Sequence, residues 1–275
     1  MKLGIFANTF VRPTIEEVFD SVKAHGIDHT EFNFTAIGIQ EVPDQVDEAI
    51  ARRVRTAAAE RGITVESVGG YTNMIHPDPE KRQEDMQNLL SLIRAARSLG
   101  AGVVALCTGS RDPDSMWRWH PANDDPDAWD DLRVSMTDAV RVAEEHDVTL
   151  TMEPEVSNVV HTAEKARRLL DEINSPRLKV TFDGANIFHK GELPRMHELL
   201  TEAIELLADD IVLAHAKDLD HDGDAGLLAA GQGKLDYGHY IGLLKKAGFS
   251  GSILIHGLSE DQVEDSVRYV RSFLE

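Results

Sequence analysis

A single cysteine, Cys107, in 275 residues leaves no partner for an internal disulfide and suits a reducing compartment. Basic residues are also scarce, with 28 Lys and Arg against 48 Asp and Glu, a formal net charge of −20. That surplus of acid repels phosphate backbones and anionic bilayers, so neither a nucleic-acid nor a membrane partner is expected. No apolar run approaches the roughly 20 residues of a membrane span. Residues 1–8 are too short an apolar run for a secretory leader, and the expectation is a cytoplasmic protein. Ser/Gly-rich and Pro-rich linkers are missing, which points to one domain over residues 1–275. The first apolar stretch runs into Ala7-Asn8-Thr9-Phe10-Val11-Arg12 without a glycine-rich dinucleotide fingerprint, and this counts against a Rossmann enzyme.

What is present is a regular alternation of two periodicities. Stretches 3–8, 30–34, 64–68, 103–107, 149–153, 179–183, 211–217 and 252–256 read as strands. Between them, 14–25, 46–61, 79–99, 127–145, 162–173, 194–208, 237–247 and 259–274 read as helices, several closed by a glycine such as Gly62, Gly100 or Gly248. Strict strand–helix alternation calls for a parallel sheet. Eight such units in a chain near 250 residues predict an α/β fold of the (β/α)8 TIM-barrel type, rather than an open doubly wound sheet.

Four of the strands end on metal-binding or catalytic residue types. Strand side chains alternate faces, so Thr149, Thr151 and Glu153 point one way and Pro154 stops the ladder. Asp183 ends the sixth strand before Gly184. Ile211, Leu213, His215 and Lys217 share a face of the seventh strand, and Ser252, Leu254 and His256 share one of the eighth. A lone Asp or His in such a place is more often a cap or a hydrogen-bonded loop residue. Four in equivalent positions, at the ends where parallel barrels collect their active groups, predict a site.

With Met152-Glu153-Pro154, Phe182-Asp183-Gly184-Ala185-Asn186, His215-Ala216-Lys217-Asp218 and Ile255-His256-Gly257-Leu258-Ser259-Glu260, the chain resembles the sugar-phosphate isomerase/epimerase superfamily of xylose-isomerase-like TIM barrels, over nearly its whole length. The resemblance implies one divalent metal ion held by Glu153, Asp183, His215 and an eighth-strand residue. That residue is usually Glu and here is His256, so the second acid/base of a two-carboxylate epimerase is missing. Asn186 stands where a His often does, which counts against a trinuclear zinc repair enzyme. The strand alternation favours His256 as a fourth ligand over a hydrogen-bonded residue beside a three-ligand site completed by water, and two imidazoles favour manganese, cobalt or zinc over magnesium. The implied reaction is isomerisation or epimerisation of a small ketose, keto-polyol or related sugar. Glu153 would remove a proton beside the carbonyl, and His256, Lys217 or a water of the metal would return it. A lyase or dehydratase on a keto-sugar of the inosose or 3-keto-glycoside type is the alternative, and a non-catalytic sugar-binding barrel is a third.

Other residues carry weaker signals. The loop 108–127 should overhang the mouth, bringing Arg111, Trp117 and Trp119 with it, either to contact sugar or to form a homo-oligomer contact. His76 and Asn186 are further candidate substrate contacts, although His76-Pro77-Asp78 also reads as a cap and turn. Asp218–Gly223 resembles the start of a calcium loop, but Ala229 stands at the twelfth position where a bidentate Glu is needed, so it reads as a solvated acidic loop. Cys107 reads as packed and inert.

Overall fold

The strands Lys2–Phe6 (β1), His29–Phe32 (β2), Thr64–Gly69 (β3), Val103–Leu106 (β4), Thr149–Met152 (β5), Leu178–Asp183 (β6), Ile211–Ala216 (β7) and Ser252–Ile255 (β8) pair in parallel and in sequence order. Pairing of β8 with β1, with Ile5 opposite Ile255, closes the barrel. This computed structural model describes residues 1–274. Helices Ile15–Ala24 (α1), Glu48–Arg61 (α2), Pro79–Leu99 (α3), Pro126–Glu145 (α4), Ala163–Ile173 (α5), Met196–Leu207 (α6), Tyr237–Lys246 (α7) and Val263–Leu274 (α8) alternate with the strands, giving the expected single-domain TIM barrel. The helix ends follow local chemistry. Thr162 Oγ1 accepts the Lys165 N–H to start α5, and Gly100, at φ +93°, stops α3 in a left-handed turn that a side chain would resist.

Two apolar cores result. The larger lies between the sheet and the helices and includes Phe19, Leu92, Leu132, Leu169 and Tyr240. The smaller, Phe6 with Leu213 and Leu254, sits inside the barrel and plugs it beneath the mouth. A dry floor therefore underlies whatever polar groups crown the strands.

Several strands stop a residue or two before the sequence suggests. β1 gives way to a 3-10 turn at Ala7–Thr9, and β5 and β8 end one residue before Glu153 and His256. Single ladder bonds still reach those residues: Glu153 N–H donates to Leu106 O at 3.1 Å and His256 N–H to Ala216 O at 3.3 Å. The acidic stretch after β7 is not simply solvated, because Asp218 is buried. Its carboxylate accepts the backbone N–H groups of Leu219, Gly231 and Leu235 at 2.9–3.0 Å and so turns inward.

Candidate metal centre

Glu153, Asp183, His215 and His256 each offer one ligand atom, and these atoms all lie within 4.8 Å of one another at the C-terminal mouth. Strand register is responsible: Asp183 lies directly opposite His215 on β6 and β7, while Glu153 and His256 come from the ends of β5 and β8. Within the cluster the groups pair as carboxylate with imidazole. His215 Nδ1 is 3.2 Å from Glu153 Oε1, and His256 Nε2 is 3.0 Å from Asp183 Oδ2. Lys217 Nζ stands 3.9 Å from the same Asp183 oxygen.

These pairs set the charges. Burial opposes ionisation of Glu153, yet neighbouring His215 outweighs it and holds the carboxyl below its usual range. Burial opposes charging of His215 too, but Glu153 more than offsets it and the imidazole is raised. For Asp183, burial is outweighed by Lys217 and the His256 hydrogen bond, which hold the carboxyl at about 2. Burial wins at His256, drawing its imidazole down to about 4 despite the bond to Asp183. Two anionic carboxylates and a neutral His256 are the forms that ligate a divalent ion.

One further observation shows that the donor set fits a metal. His215 Nε2 is buried and has no hydrogen-bond partner, an arrangement that costs about 1–3 kcal/mol unless something binds there. Two carboxylates and two imidazoles form a mixed oxygen and nitrogen set, suited to manganese, cobalt or zinc more than to magnesium.

Above the cluster opens a cavity of about 690 Å³, within the range of small-molecule sites. Glu153, Lys217, His256 and Trp117 line it, as the sequence suggests. Four other sequence candidates do not line it. Arg111 is buried under the β4–α4 loop, where Asp131 takes its guanidinium at 2.6 Å and Ile75 O accepts at 2.9 Å, so it has no free donor fork for substrate. His76 accepts the Asp78 N–H at 3.1 Å and lies 3.3 Å from Pro113 O beside a separate, smaller cavity; its cap-and-turn role is the one realised. Asn186 is buried and donates to Glu153 Oε1 at 2.8 Å, so it acts on the carboxylate rather than lining the cavity. Trp119 packs edge-on against His161 and is not part of the cavity wall. Cys107 is buried, its thiol pushed up by burial and donating to Thr72 O, consistent with an inert packed residue.

A second polar group escaped the sequence reading. Glu31, on β2, is fully buried and accepts from Ser67 Oγ at 2.7 Å, Tyr71 Oη at 2.9 Å and Asn33 Nδ2 at 3.1 Å. Burial raises its carboxyl despite these bonds. Glu41, bonded to Asn33 and Thr35, lines the cavity and is pushed by burial up to about 7. A local signal exists, since Glu31 is a carboxylate near the C-terminal end of β2, as the ligand-type residues are on later strands. Glu155 also lines the cavity, and burial raises it to about 8, opposite to Glu153 only two residues away.

A closed parallel barrel with a mixed carboxylate–imidazole cluster at its C-terminal mouth defines the class: a TIM barrel with a candidate metal centre. The chain belongs to the xylose isomerase-like TIM barrel family, whose model matches residues 19–273. Among solved structures it is similar to 3-keto-D-glucoside 4-epimerase from E. coli, with TM-score 0.74, 19% identity and 99% of each chain covered. It is similar also to D-psicose 3-epimerase from Clostridium cellulolyticum, solved with D-tagatose, at TM-score 0.74, 16% identity and 100% of both chains. D-allulose 3-epimerase from Methylomonas aligns at TM-score 0.73 and 13% identity, over 99% of this chain and 96% of that one. A search of curated proteins finds no match. At such identities the likeness speaks for the fold.

Proposed function

We propose that this protein is a metal-dependent isomerase or epimerase that moves a proton on the carbon beside a carbonyl of a ketose or keto-polyol. The observation that carries the reading is Glu153: an ionised carboxylate, fixed by His215 and Asn186, on the wall of a cavity and among three other ligand-type side chains. The three similar structures named above, each an epimerase of a sugar or keto-sugar, support the same substrate class.

Glu153, Asp183, His215 and His256 would hold a divalent ion, which would supply Lewis acidity to a substrate carbonyl and make the adjoining C–H more acidic. Glu153 takes that proton, and Asn186 keeps its Oε1 oriented. Lys217 faces the cavity and is the group placed to return a proton, since His256 is neutral and one of the ligand set. The plug of Phe6, Leu213 and Leu254 excludes water from below, which strengthens every charge interaction at the floor.

One observation favours a second reading, elimination from a keto-sugar. His256 stands where the resemblance leads one to expect Glu, and a lyase needs only the first proton abstraction. Incubation of manganese-loaded protein in heavy water with ketoses, inososes and 3-keto-glycosides separates the cases. Deuterium in recovered or epimerised sugar supports the isomerase. An unsaturated product assigns the lyase, and neither bound metal nor exchange assigns a non-catalytic sugar-binding barrel.

A further inference from the structure

Two large apolar side chains that stand exposed among the described residues, Trp117 at 46% and Leu227 at 80%, line the mouth of the cavity above Glu153. They belong to loops on opposite sides of the barrel. Trp117 follows β4 and Leu227 follows β7, with β5 and β6 between them one way round and β8, β1, β2 and β3 the other. Exposed leucine and tryptophan are costly to solubility when they do nothing, and scattered ones on mobile loops would carry no argument.

These two are held in place. On either side of Leu227, Gly226 N–H donates to Ala185 O at 3.1 Å, while Leu228 forms a two-bond bridge with Asp218 at 2.7 and 3.0 Å. A Cβ at Gly226 would lie 2.5 Å from Asp218 O, so the chain passes there only because the residue is glycine. Asp218 itself is locked by the three backbone N–H groups already described. Trp117 is flanked in the same manner: buried Asn158 donates to Met116 O at 3.2 Å, and buried Ser110 donates to Arg118 O at 2.6 Å. Backbone order on both sides of an exposed apolar residue marks a preformed contact, because ordering that segment costs conformational entropy.

The depth of the cavity agrees. At 690 Å³ it has room for on the order of twenty water-sized groups of ~30 Å³, well beyond the non-hydrogen atoms of one hexose. The walls are also divided. The ionisable groups Glu153, Glu155 and Lys217 lie at the floor, and Met116, Trp117, Leu227 and Leu258 add apolar surface, with His221 and Asp224 on the same loop as Leu227. Between them Tyr71 stands 5.9 Å from Trp117 and 6.4 Å from Phe6, and Phe6 stacks on His256, so an aromatic wall runs from rim to floor.

We propose that the substrate is a sugar carrying an apolar substituent, a glycoside rather than a free ketose, with its sugar at the floor and the substituent held between Trp117 and Leu227. This rests on the reading of the floor as a carbonyl-sugar site. Solvent deuterium exchange by manganese-loaded protein into 3-keto-glucose, its methyl glycoside and its benzyl glycoside tests both. Benzyl and methyl groups activate the anomeric oxygen similarly, so a difference between them reads contact with the rim. The expected result is kcat/KM at least tenfold higher for benzyl than for methyl, carried mainly by KM. Leu227→Ala, a change at an exposed side chain that leaves the fold intact, should bring that ratio down to about threefold or less. Exchange into 3-keto-glucose at a rate equal to or above the benzyl glycoside overturns the inference and leaves the proposed function standing. No exchange into any of the three also overturns the inference, and only the absence of exchange from the ketoses and inososes as well overturns the proposed function itself. Sedimentation that shows a dimer dissociated by Leu227→Asp would assign the rim to a second copy of the chain, and would also overturn the inference.

Discussion

The ring of Phe6 lies flat on the imidazole of His256, with centroids 4.5 Å apart and planes 17° from parallel. Closure of β8 on β1 brings the two together from opposite ends of the chain. Phe6 also meets His215 edge-on at 5.0 Å, so one aromatic residue touches both imidazoles of the cluster. Stacking fixes the plane of His256 and aims its Nε2 at Asp183, 3.0 Å away. The residue at which this chain differs from the family resemblance is therefore held as firmly as the other three.

If His256 is a ligand, His256→Ala should weaken manganese retention at least tenfold, the lower end of what disturbing a metal site costs. Phe6→Ala, which frees the ring without removing it, should have a smaller effect in the same direction. Equilibrium dialysis against manganese reads both. Unchanged affinity in His256→Ala with lost turnover would instead make His256 an acid/base or substrate contact.

Much of this architecture is legible in the sequence, and the exceptions share one physical cause. Period-two stretches, glycine stops such as Gly100 and the alternation of units suffice for the barrel, because each is a local rule. Glu153, Asp183, His215 and His256 are legible for the same reason: a polar residue at the end of an apolar strand face is a local anomaly. The placement of Arg111 and His76 is not legible in this way, because a loop's position follows from the strand before it, but the direction of its side chains depends on partners elsewhere, here Asp131 and Pro113. Asp218 misled for the reverse reason, since two of its three N–H partners lie 13 and 17 residues downstream. Glu31 was passed over although its strand obeys the rule, because its significance comes from Ser67 and Tyr71, 36 and 40 residues away.

Glu153→Gln should lower deuterium exchange by about 10²–10⁴-fold, the usual contribution of a positioned general base. The amide keeps nearly the same volume, so the barrel should fold, and its circular dichroism should match the parent. Metal analysis of the same sample is needed, since the carboxylate is also a ligand. Full activity with metal bound would move the base elsewhere, with Glu155 and His256 next in line.

Tyr71→Phe removes one of three donors from buried Glu31 while leaving the ring that stacks toward Trp117 and Phe6. A hydrogen bond to a buried carboxyl group is worth about 1–3 kcal/mol, and the variant should lose stability in that range. Urea unfolding of metal-free protein at neutral pH measures it. A loss below about 0.5 kcal/mol would show that Ser67 and Asn33 alone satisfy the carboxyl.

The last prediction concerns acid stability at the opposite end of the barrel. Asp210, just before β7, accepts from Lys179 Nζ and from Arg167 Nη1, each at 2.6 Å, and ties β6 and α5 to the start of β7. Burial would raise this carboxyl, but the two cations outweigh it and hold it below its ordinary value. A carboxyl depressed in the folded state contributes stability that is complete above its unfolded pKa, about 3.9, and fades as pH falls through the lower folded value. Asp210→Asn should therefore cost about 1–2 kcal/mol at pH 7, between exposed and buried ion pairs, because the group is only partly shielded. The gap between parent and variant should then narrow below about pH 4, where the carboxyl of the unfolded parent begins to protonate, and close as pH falls through the lower folded value. Urea midpoints of the metal-free proteins at pH 7, 5, 4 and 3 test this. A gap that stays constant across that range would mean that the Asp210 side chain stabilises the barrel by packing or hydrogen bonding rather than by charge.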